Sequence, residues 1–308
     1  MKKVFIDGSA GTTGLRIAER LSSRQDIELI KLTEENRKDI NACKKALNDA
    51  DIAFLCLPDA ASVEAVSLIE NDKTVVIDTS TAHRTHDDWA YGFPELSVSH
   101  REKIKNSKRI AVPGCHASGF IALIYPLVES GVLSKDILLT ATSLTGYSGG
   151  GKSMIADYEN EERDSLLNAP RQYGILQKHK HLPEMTKICG ISNAPAFMPI
   201  VADFYSGMEV TIPLFASQIN ASAEDIKKIY KEKYKGPIVK YTQDFSENGF
   251  VSANKLSFND GMEISVSGNE DRILLIARYD NLGKGASGAA IECMNICLGA
   301  EETAGLDI

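Results

Sequence analysis

The sequence predicts an α/β protein, with a Rossmann-type parallel-sheet domain and a second α+β domain whose sheet is mixed or antiparallel. Short apolar strands alternate with amphipathic helices over the first 80 residues, a pattern typical of a parallel sheet covered on both faces. After about residue 130, strands follow one another with few helices between them, which indicates a different sheet. A chain of 308 residues is also long for a single core, so two domains are expected.

The elements of the first domain follow in regular order. A strand at 4–6 precedes a helix that places Leu15, Ala18 and Leu21 at helical spacing,. Further strands are predicted at 27–32, 52–57 and 74–77, with helices at 40–47 and 60–69.

The second domain is predicted from strands at 137–145, 209–215, 262–267 and 273–278, with one helix at 223–234,. The last segment, 285–298, is small and apolar like a core helix, and we expect it to pack on the first domain. The expected boundaries are 1–114 with 283–308 for the first domain and 115–282 for the second.

The net charge and the distribution of apolar residues argue against nucleic acid and membranes as partners. The formal net charge of −8 argues against nucleic acid or an anionic membrane as the main partner. No apolar run approaches the roughly 20 residues that span a bilayer, and the N-terminus is typical of a strand and lacks the apolar stretch of a signal peptide. We therefore expect a cytoplasmic protein with reduced thiols.

Metal binding is not expected. The six cysteines are scattered, and Cys293 and Cys297, four residues apart in an apolar helix, fit core packing better than metal ligation. His83 and His86 lack further ligands at metal-binding spacing. Together with His100 they are expected at the surface.

A glycine-rich turn follows the first strand. Gly8, Gly11 and Gly14 form G-x-x-G-x-x-G at the start of a helix, where a tight backbone turn lets a pyrophosphate approach the helix N-terminus. Ala10, Thr12 and Thr13 lie in the same loop, so we expect all six residues to bind a dinucleotide.

The loop after the second strand contains both acidic and basic residues. Glu34 or Glu35 could bind the ribose hydroxyls of NAD, whereas Arg37 could bind the 2′-phosphate of NADP,. We favour Arg37 and NADP.

Cys115 is the candidate nucleophile. It follows an apolar strand at 110–112 and the turn Pro113-Gly114, and precedes a helix predicted at 120–128. The reactive species is the thiolate, whereas a free thiol has a pKa of about 8.5. A helix N-terminus and a nearby imidazole favour the thiolate.

The general base should come from the segment 179–184. His179 and His181, with Glu184 three residues beyond, could form an oriented base,. We favour His181, with His179 as the alternative. His116 adjoins the cysteine, but neighbouring side chains usually diverge.

The segment 146–153 also matches the phosphate-binding P-loop G-x-x-x-x-G-K-[ST],. The candidate magnesium-binding strand at 75–78 precedes this loop, and the segment after Lys152 is too charged for a helix packed on a sheet. A flexible glycine loop near the active site is therefore favoured over an ATP site.

Together these segments resemble the N-acetyl-gamma-glutamyl-phosphate reductase family in its shorter form, over nearly the whole chain. That family is related to the aspartate-semialdehyde and glyceraldehyde-phosphate dehydrogenases. One departure is Val112, where many members have asparagine. The segments that carry the resemblance are GSAGTTG at 8–14, DTSTAHR at 78–84, GFPEL at 92–96, PGC at 113–115, GYSGGG at 146–151, HKHLPE at 179–184 and NLGKGA at 281–286.

The resemblance implies an NADP-dependent reductase of N-acetyl-glutamyl phosphate in arginine biosynthesis, which forms a dimer or tetramer. It implies Cys115 as nucleophile and His181 as acid and base, and a glycine loop at 146–151 that closes over the ligands. Arg84 is our candidate for the substrate phosphate and Asn281 for the nicotinamide amide. The remaining expected contacts are Ser148 and Gly149 with the cofactor and His179 and Glu184 with the substrate.

Two alternatives stay open at this point. One is an aspartate-semialdehyde-type dehydrogenase of the same superfamily, which substrate profiling would distinguish. The other is a non-catalytic protein that senses dinucleotides, for which Cys115 would be dispensable.

Overall fold

A computed structural model describes residues 1–308, which form two compact units. The first unit comprises Met1–Gly114 and Ala286–Leu306, and the second comprises Cys115–Gly285 and Asp307–Ile308. The strands are β1 (Lys2–Asp7), β2 (Ile27–Ile30), β3 (Ile52–Leu55), β4 (Val75–Asp78), β5 (Ala90–Tyr91), β6 (Arg109–Ala111), β7 (Thr140–Gly146), β8 (Arg171–Gln172), β9 (Ala196–Ala202), β10 (Met208–Phe215), β11 (Val239–Tyr241), β12 (Met262–Gly268) and β13 (Arg272–Tyr279). The helices are α1 (Thr12–Leu21), α2 (Ile40–Asp49), α3 (Asp59–Ser67), α4 (Val98–Asn106), α5 (Cys115–Glu129), α6 (Gly151–Glu159), α7 (Leu182–Cys189), α8 (Ala223–Lys233) and α9 (Gly288–Leu298).

The first unit contains a parallel sheet of order β2-β1-β3-β4-β6-β5. Strand β1 is buried on both faces, because Val4 and Ile6 enter one apolar cluster while Phe5 enters another. This explains why its sequence is continuously apolar. Helix α9 contributes Ala290 and Met294 to the same cluster as Val4.

In α1 the apolar face differs from the predicted one. Leu15 is exposed, whereas Ile17 and Leu21 are buried. Helix α4 and strand β5 are additional elements that the apolar pattern did not indicate, since β5 has two residues and only Ile104 of α4 is buried.

The second unit contains a seven-stranded mixed sheet of order β11-β12-β13-β10-β7-β9-β8. The pairs β7–β9 and β11–β12 are parallel and the others are antiparallel. The sequence analysis missed β9, whose Pro199 argues against a strand interior. Strand β8 pairs with Val201 and Ile200 of β9, and the next residue after β8, Tyr173, donates its N–H to the Pro199 carbonyl at 3.0 Å. Pro199 therefore keeps its acceptor in the ladder although it has no N–H to donate.

Helix α5 packs on β10, β13, α7 and α8. Pro126 lies inside it and lacks an N–H for the carbonyl of Ala122,. The Tyr234 hydroxyl donates to that carbonyl at 2.6 Å, and the Tyr230 hydroxyl donates to the carbonyl of Leu123 at 2.5 Å. Two buried tyrosines of the α8 segment thus stabilise a helix that its own sequence interrupts.

Candidate active site

The loop between β1 and α1 requires glycine at two positions. Gly8 has φ of +81°, and a Cβ there would lie 2.2 Å from the carbonyl oxygen of Cys56. A Cβ on Gly14 would lie 2.4 Å from the carbonyl oxygen of Gly8. The Gly11 N–H donates to the same oxygen at 2.9 Å. The turn is therefore so tight that a side chain at Gly8 or Gly14 would collide with the backbone and open it.

This turn fits the pyrophosphate of a dinucleotide. Gly11, the N-cap residue of α1, has no side chain to satisfy the first N–H groups, and the first turn holds no acidic residue. The Thr12 Oγ1 is buried without a hydrogen-bond partner. Free N–H groups, a helix dipole and an unsatisfied hydroxyl together suit a bound anion. Thr13 is half-buried and Ala10 is exposed beside them.

Gly14→Ala is expected to weaken NADPH binding at least tenfold, because the added methyl would displace the Gly8 carbonyl and open the turn,. Fluorescence titration with NADPH measures the effect. Gly236→Ala makes the same change in open space, with no atom nearer than 3.9 Å, and should bind as the wild type does. Equal affinity of both variants would contradict this account of the turn.

Arg37 lies in a single 3-10 turn, Asn36–Lys38, after β2. Its side chain is exposed, and its guanidinium lies 3.5 Å from a Glu34 carboxylate oxygen. Such a surface ion pair contributes little to stability. A phosphate could therefore replace the Glu34 carboxylate beside Arg37 at a small cost in free energy.

Cys115 is the first residue of α5, five residues earlier than the predicted start of that helix. The side chain is half-buried and is not in a disulfide. A helix N-terminus stabilises an anion at this position. The backbone is fixed from two sides, since the Tyr279 hydroxyl donates to the Cys115 carbonyl at 2.5 Å and a Cβ on Gly285 would lie 3.1 Å from the Cys115 Cβ.

Three histidine rings of the second unit lie together. The ring centroids of His179 and His181 are 4.7 Å apart, and that of His116 lies 5.5 Å and 5.7 Å from them. Tyr173 and Phe197 complete the cluster, because each of them lies beside the rings of both His116 and His179. Cys115 directly precedes His116 in the chain, so its backbone adjoins the cluster.

Burial keeps two of these rings, those of His116 and His179, neutral. His116 is hydrogen-bonded through Nδ1 to the Ser143 hydroxyl at 2.7 Å and through Nε2 to the Tyr173 hydroxyl at 2.6 Å. Burial lowers the pKa of His116 to about 3 and that of His179 to about 4. The His181 backbone N–H donates to His179 Nδ1 at 3.2 Å, which leaves only Nε2 of His179 for proton transfer.

His181 is the N-cap residue of α7 and is 4% exposed. Glu184 lies in the first turn of the same helix and is 2% exposed. Helix α7 packs against α5, whose first residue is Cys115. The structure thus brings Cys115, His179, His181 and Glu184 into one region of the second unit.

His116 and Tyr173 lie in the same region, although the sequence analysis did not select them as site residues. The ring of His116, which was expected to diverge from Cys115, belongs to the histidine cluster. Tyr173 follows a two-residue strand and carries no motif. The hydrogen bond between His116 and Tyr173 and the packing of His116 against Phe197, on β9, bring them together.

The second glycine loop is held by Asn281. Its Oδ1 accepts from the Gly207 N–H at 2.9 Å, and its Nδ2 donates to the Ser148 hydroxyl at 3.0 Å. A Cβ on Gly149 would lie 3.3 Å from that Nδ2. Asn281 therefore fixes the 146–151 loop, in addition to any contact with the nicotinamide that we predicted.

The P-loop alternative receives no support from this geometry. Strand β7 pairs parallel with β9 and antiparallel with β10, unlike the parallel sheet of a P-loop fold. Lys152 is exposed in α6. Gly151 has φ of +72°, which accounts for a glycine before that lysine.

Arg84 belongs to the first unit and is buried. Its Nε donates to the Val112 carbonyl at 2.8 Å and one terminal nitrogen donates to the Thr79 carbonyl at 2.9 Å. The adjacent His83 was expected at the surface, but this prediction is wrong. Its ring stacks on Trp89 at 4.0 Å and its Nδ1 lies 2.7 Å from the buried Asp78 carboxylate.

No group of three or more histidine, cysteine or acidic side chains is placed to hold a metal ion. None of the helices combines the length and the apolar character needed to cross a membrane.

Two family models match the chain. Residues 3–107 match the NAD binding domain of semialdehyde dehydrogenases, and residues 115–281 match their dimerisation domain.

Solved structures share the fold. Aspartate semialdehyde dehydrogenase II from Vibrio cholerae, complexed with ASA, superposes with a TM-score of 0.73 at 16% identity, over 97% of this chain and 98% of that one. The Candida albicans enzyme, solved with NADP, gives 0.71 at 19% identity, over 97% and 99%.

Curated relatives are much closer in sequence. N-acetyl-gamma-glutamyl-phosphate reductase from Brucella ovis is 44% identical over 96% of this chain and 99% of its own. N-acetyl-gamma-glutamyl-phosphate reductase 2 from a Nostoc species is 40% identical over 99% of both chains. The predicted fold class and family resemblance are confirmed. The chain belongs to the N-acetyl-gamma-glutamyl-phosphate reductase family.

Proposed function

We propose that this protein catalyses the NADPH-dependent reductive dephosphorylation of N-acetyl-glutamyl 5-phosphate to N-acetyl-glutamate 5-semialdehyde, a step of arginine biosynthesis. The observation that carries the proposal is the position of Cys115, at the first residue of α5 and close to three clustered histidines. Identity of 40–44% to reductases named for this substrate favours it over the aspartate-semialdehyde reaction, whose enzymes are 16–19% identical.

Cys115 and His181 carry the chemistry in this proposal. His181 removes the proton of the Cys115 thiol, and the thiolate attacks the acyl carbon. The carbon–sulfur bond forms while the bond to the phosphate oxygen breaks, and phosphate leaves with its electron pair. The N-terminus of α5 stabilises the oxyanion. When bound, NADPH supplies the hydride that reduces the acyl group.

His181 then acts as an acid. It returns its proton to the leaving thiolate as the semialdehyde is released, so that the thiol and the neutral imidazole are regenerated. The neighbouring rings of His116 and His179 support this role of His181, because their low pKa values leave both rings uncharged near neutral pH. A neutral surrounding avoids like-charge repulsion when His181 holds the proton.

The cofactor ligands proposed in the first unit are Gly8, Ala10, Gly11, Thr12, Thr13 and Gly14 for the pyrophosphate and Arg37 for the 2′-phosphate. Thr12 Oγ1 and the glycine turn fit this assignment. We further propose Ser148, Gly149 and Asn281 as cofactor contacts, and Arg84, His179 and Glu184 as substrate contacts.

Dimers or tetramers are the proposed assembly, since residues 115–281 match a dimerisation domain. We also propose a cytoplasmic location, where NADPH and acyl phosphates are available.

The reverse reaction tests the substrate. With NADP and phosphate, N-acetyl-glutamate semialdehyde should give a kcat/KM at least a hundredfold above that of aspartate semialdehyde. An acetyl group and a longer chain change several contacts, each worth about 1–3 kcal/mol. Preference for aspartate semialdehyde would replace the proposed substrate and leave the covalent chemistry intact. NADP binding without turnover of either aldehyde would instead favour a sensor.

A further inference from the structure

The Tyr279 hydroxyl contacts both ends of the first turn of α5. It donates to the Cys115 carbonyl at 2.5 Å and accepts from the Gly119 N–H at 3.0 Å. These are the two backbone groups that an α-helix pairs with each other. Tyr279 is fully buried, and burial raises its pKa well above the ordinary value. The hydroxyl therefore remains protonated and keeps donating to Cys115.

The tyrosine fixes this turn to a rigid element. Tyr279 is the last residue of β13, which pairs with β10 on one side and β12 on the other. Strands paired on both sides open less readily than loops. The hydroxyl therefore fixes the backbone of Cys115 relative to the sheet.

Gly119 makes the contact between Tyr279 and α5 possible, and Gly285 packs against Cys115 from the other side. A Cβ on Gly119 would lie 2.7 Å from the Tyr279 hydroxyl oxygen and 2.7 Å from Val210 Cγ2. Only glycine lets α5 come this close to β10 and β13. On the other side of Cys115, a Cβ on Gly285 would lie 3.1 Å from the Cys115 Cβ and 3.3 Å from its Cα.

We propose that Tyr279 is a positioning residue that holds Cys115 by fixing the first turn of α5 to β13, and that this contact sets the direction of the Cys115 sulfur. The inference rests on the proposed role of Cys115 as nucleophile. A displacement of about 1 Å at a reacting atom costs up to roughly a hundredfold in rate, so the effect of losing this one hydroxyl should be measurable.

Tyr279→Phe tests the proposal, because it removes the hydroxyl and keeps the ring. Tyr230→Phe is the matched control, since Tyr230 is equally buried and its hydroxyl donates at 2.5 Å to Leu123, eight residues further along α5. Two quantities are measured, kcat with NADPH and the pH dependence of Cys115 alkylation by iodoacetamide. Tyr279→Phe should lower kcat roughly tenfold with KM for NADPH unchanged. It should also shift the alkylation profile upward by about one pH unit.

Tyr230→Phe should keep the wild-type kcat and alkylation profile. Equal effects in both variants, or a wild-type kcat and alkylation profile in Tyr279→Phe, would overturn the proposal. If Tyr279→Phe does not fold, Gly285→Ala decides, because its methyl displaces Cys115 from the other side. Gly285→Ala should lower kcat and shift the alkylation profile upward, as expected for Tyr279→Phe. A wild-type kcat and alkylation profile in Gly285→Ala would overturn the inference. Full activity of Cys115→Ser would instead defeat the proposed function, which keeps the two failures distinct.

Discussion

Replacement of Cys115 by serine is expected to lower kcat at least a thousandfold, equivalent to about 4 kcal/mol of barrier. A serine hydroxyl fits the same space at the start of α5 but is far less ionised near neutral pH than a thiol, so the first bond to the acyl carbon forms slowly. The measurement is the phosphate-dependent reduction of NADP by N-acetyl-glutamate semialdehyde.

Cys297→Ser provides the control for this variant. Cys297 is also half-buried, but burial raises its pKa to about 11 and it lies on α9 in the first unit. Its replacement should leave kcat within about twofold of the wild type, as expected of a thiol that acts as a small apolar group. A Cys115→Ser enzyme with more than a tenth of the wild-type rate would contradict covalent catalysis.

Replacement of His181 by glutamine is expected to lower kcat/KM roughly 10²–10⁴-fold, the usual contribution of a positioned acid–base group. His179→Gln should cost less than tenfold, because Nδ1 of His179 already accepts the His181 backbone N–H. The two variants therefore separate the histidines between which the sequence could not decide.

The pH dependence of the rate gives a second test of this assignment. The pKa values of His116 and His179 are about 3 and about 4, both below pH 5. Between pH 5 and 8 both rings stay neutral, so His179→Gln should preserve the acid limb of the kcat/KM profile. His181→Gln should flatten that limb. Loss of the limb in His179→Gln alone would assign the base to His179.

The dinucleotide loop could be predicted from sequence because its geometry is local. Three glycines at a spacing of three residues, placed between an apolar strand and a helix, correspond to the contacts of Gly11 and Gly14 with the Gly8 carbonyl. Cys115 was predicted for the same reason, since a Pro-Gly turn before a helix is a local signal. The start of α5 was placed too late, because residues 116–119 have small or polar side chains and no helical periodicity.

The rest of the site depends on contacts between distant parts of the chain. Tyr279 reaches Cys115 and Gly119 across more than 150 residues, and Tyr173 reaches His116 across 57. No periodicity or spacing encodes such pairs, which follow from the strand order of the mixed sheet. His83 was expected at the surface because a lone histidine gives no sign of the buried Asp78 that it contacts.

The central claim, a covalent bond to Cys115, is tested most directly by mass spectrometry of the enzyme mixed with N-acetyl-glutamyl phosphate in the absence of NADPH. The wild type should gain one N-acetyl-glutamyl group and release one phosphate, and the added mass should map to the peptide that contains Cys115. Addition of NADPH should then discharge the adduct as semialdehyde. An unmodified enzyme that turns over once NADPH is present, or a group attached at another residue, would contradict the account.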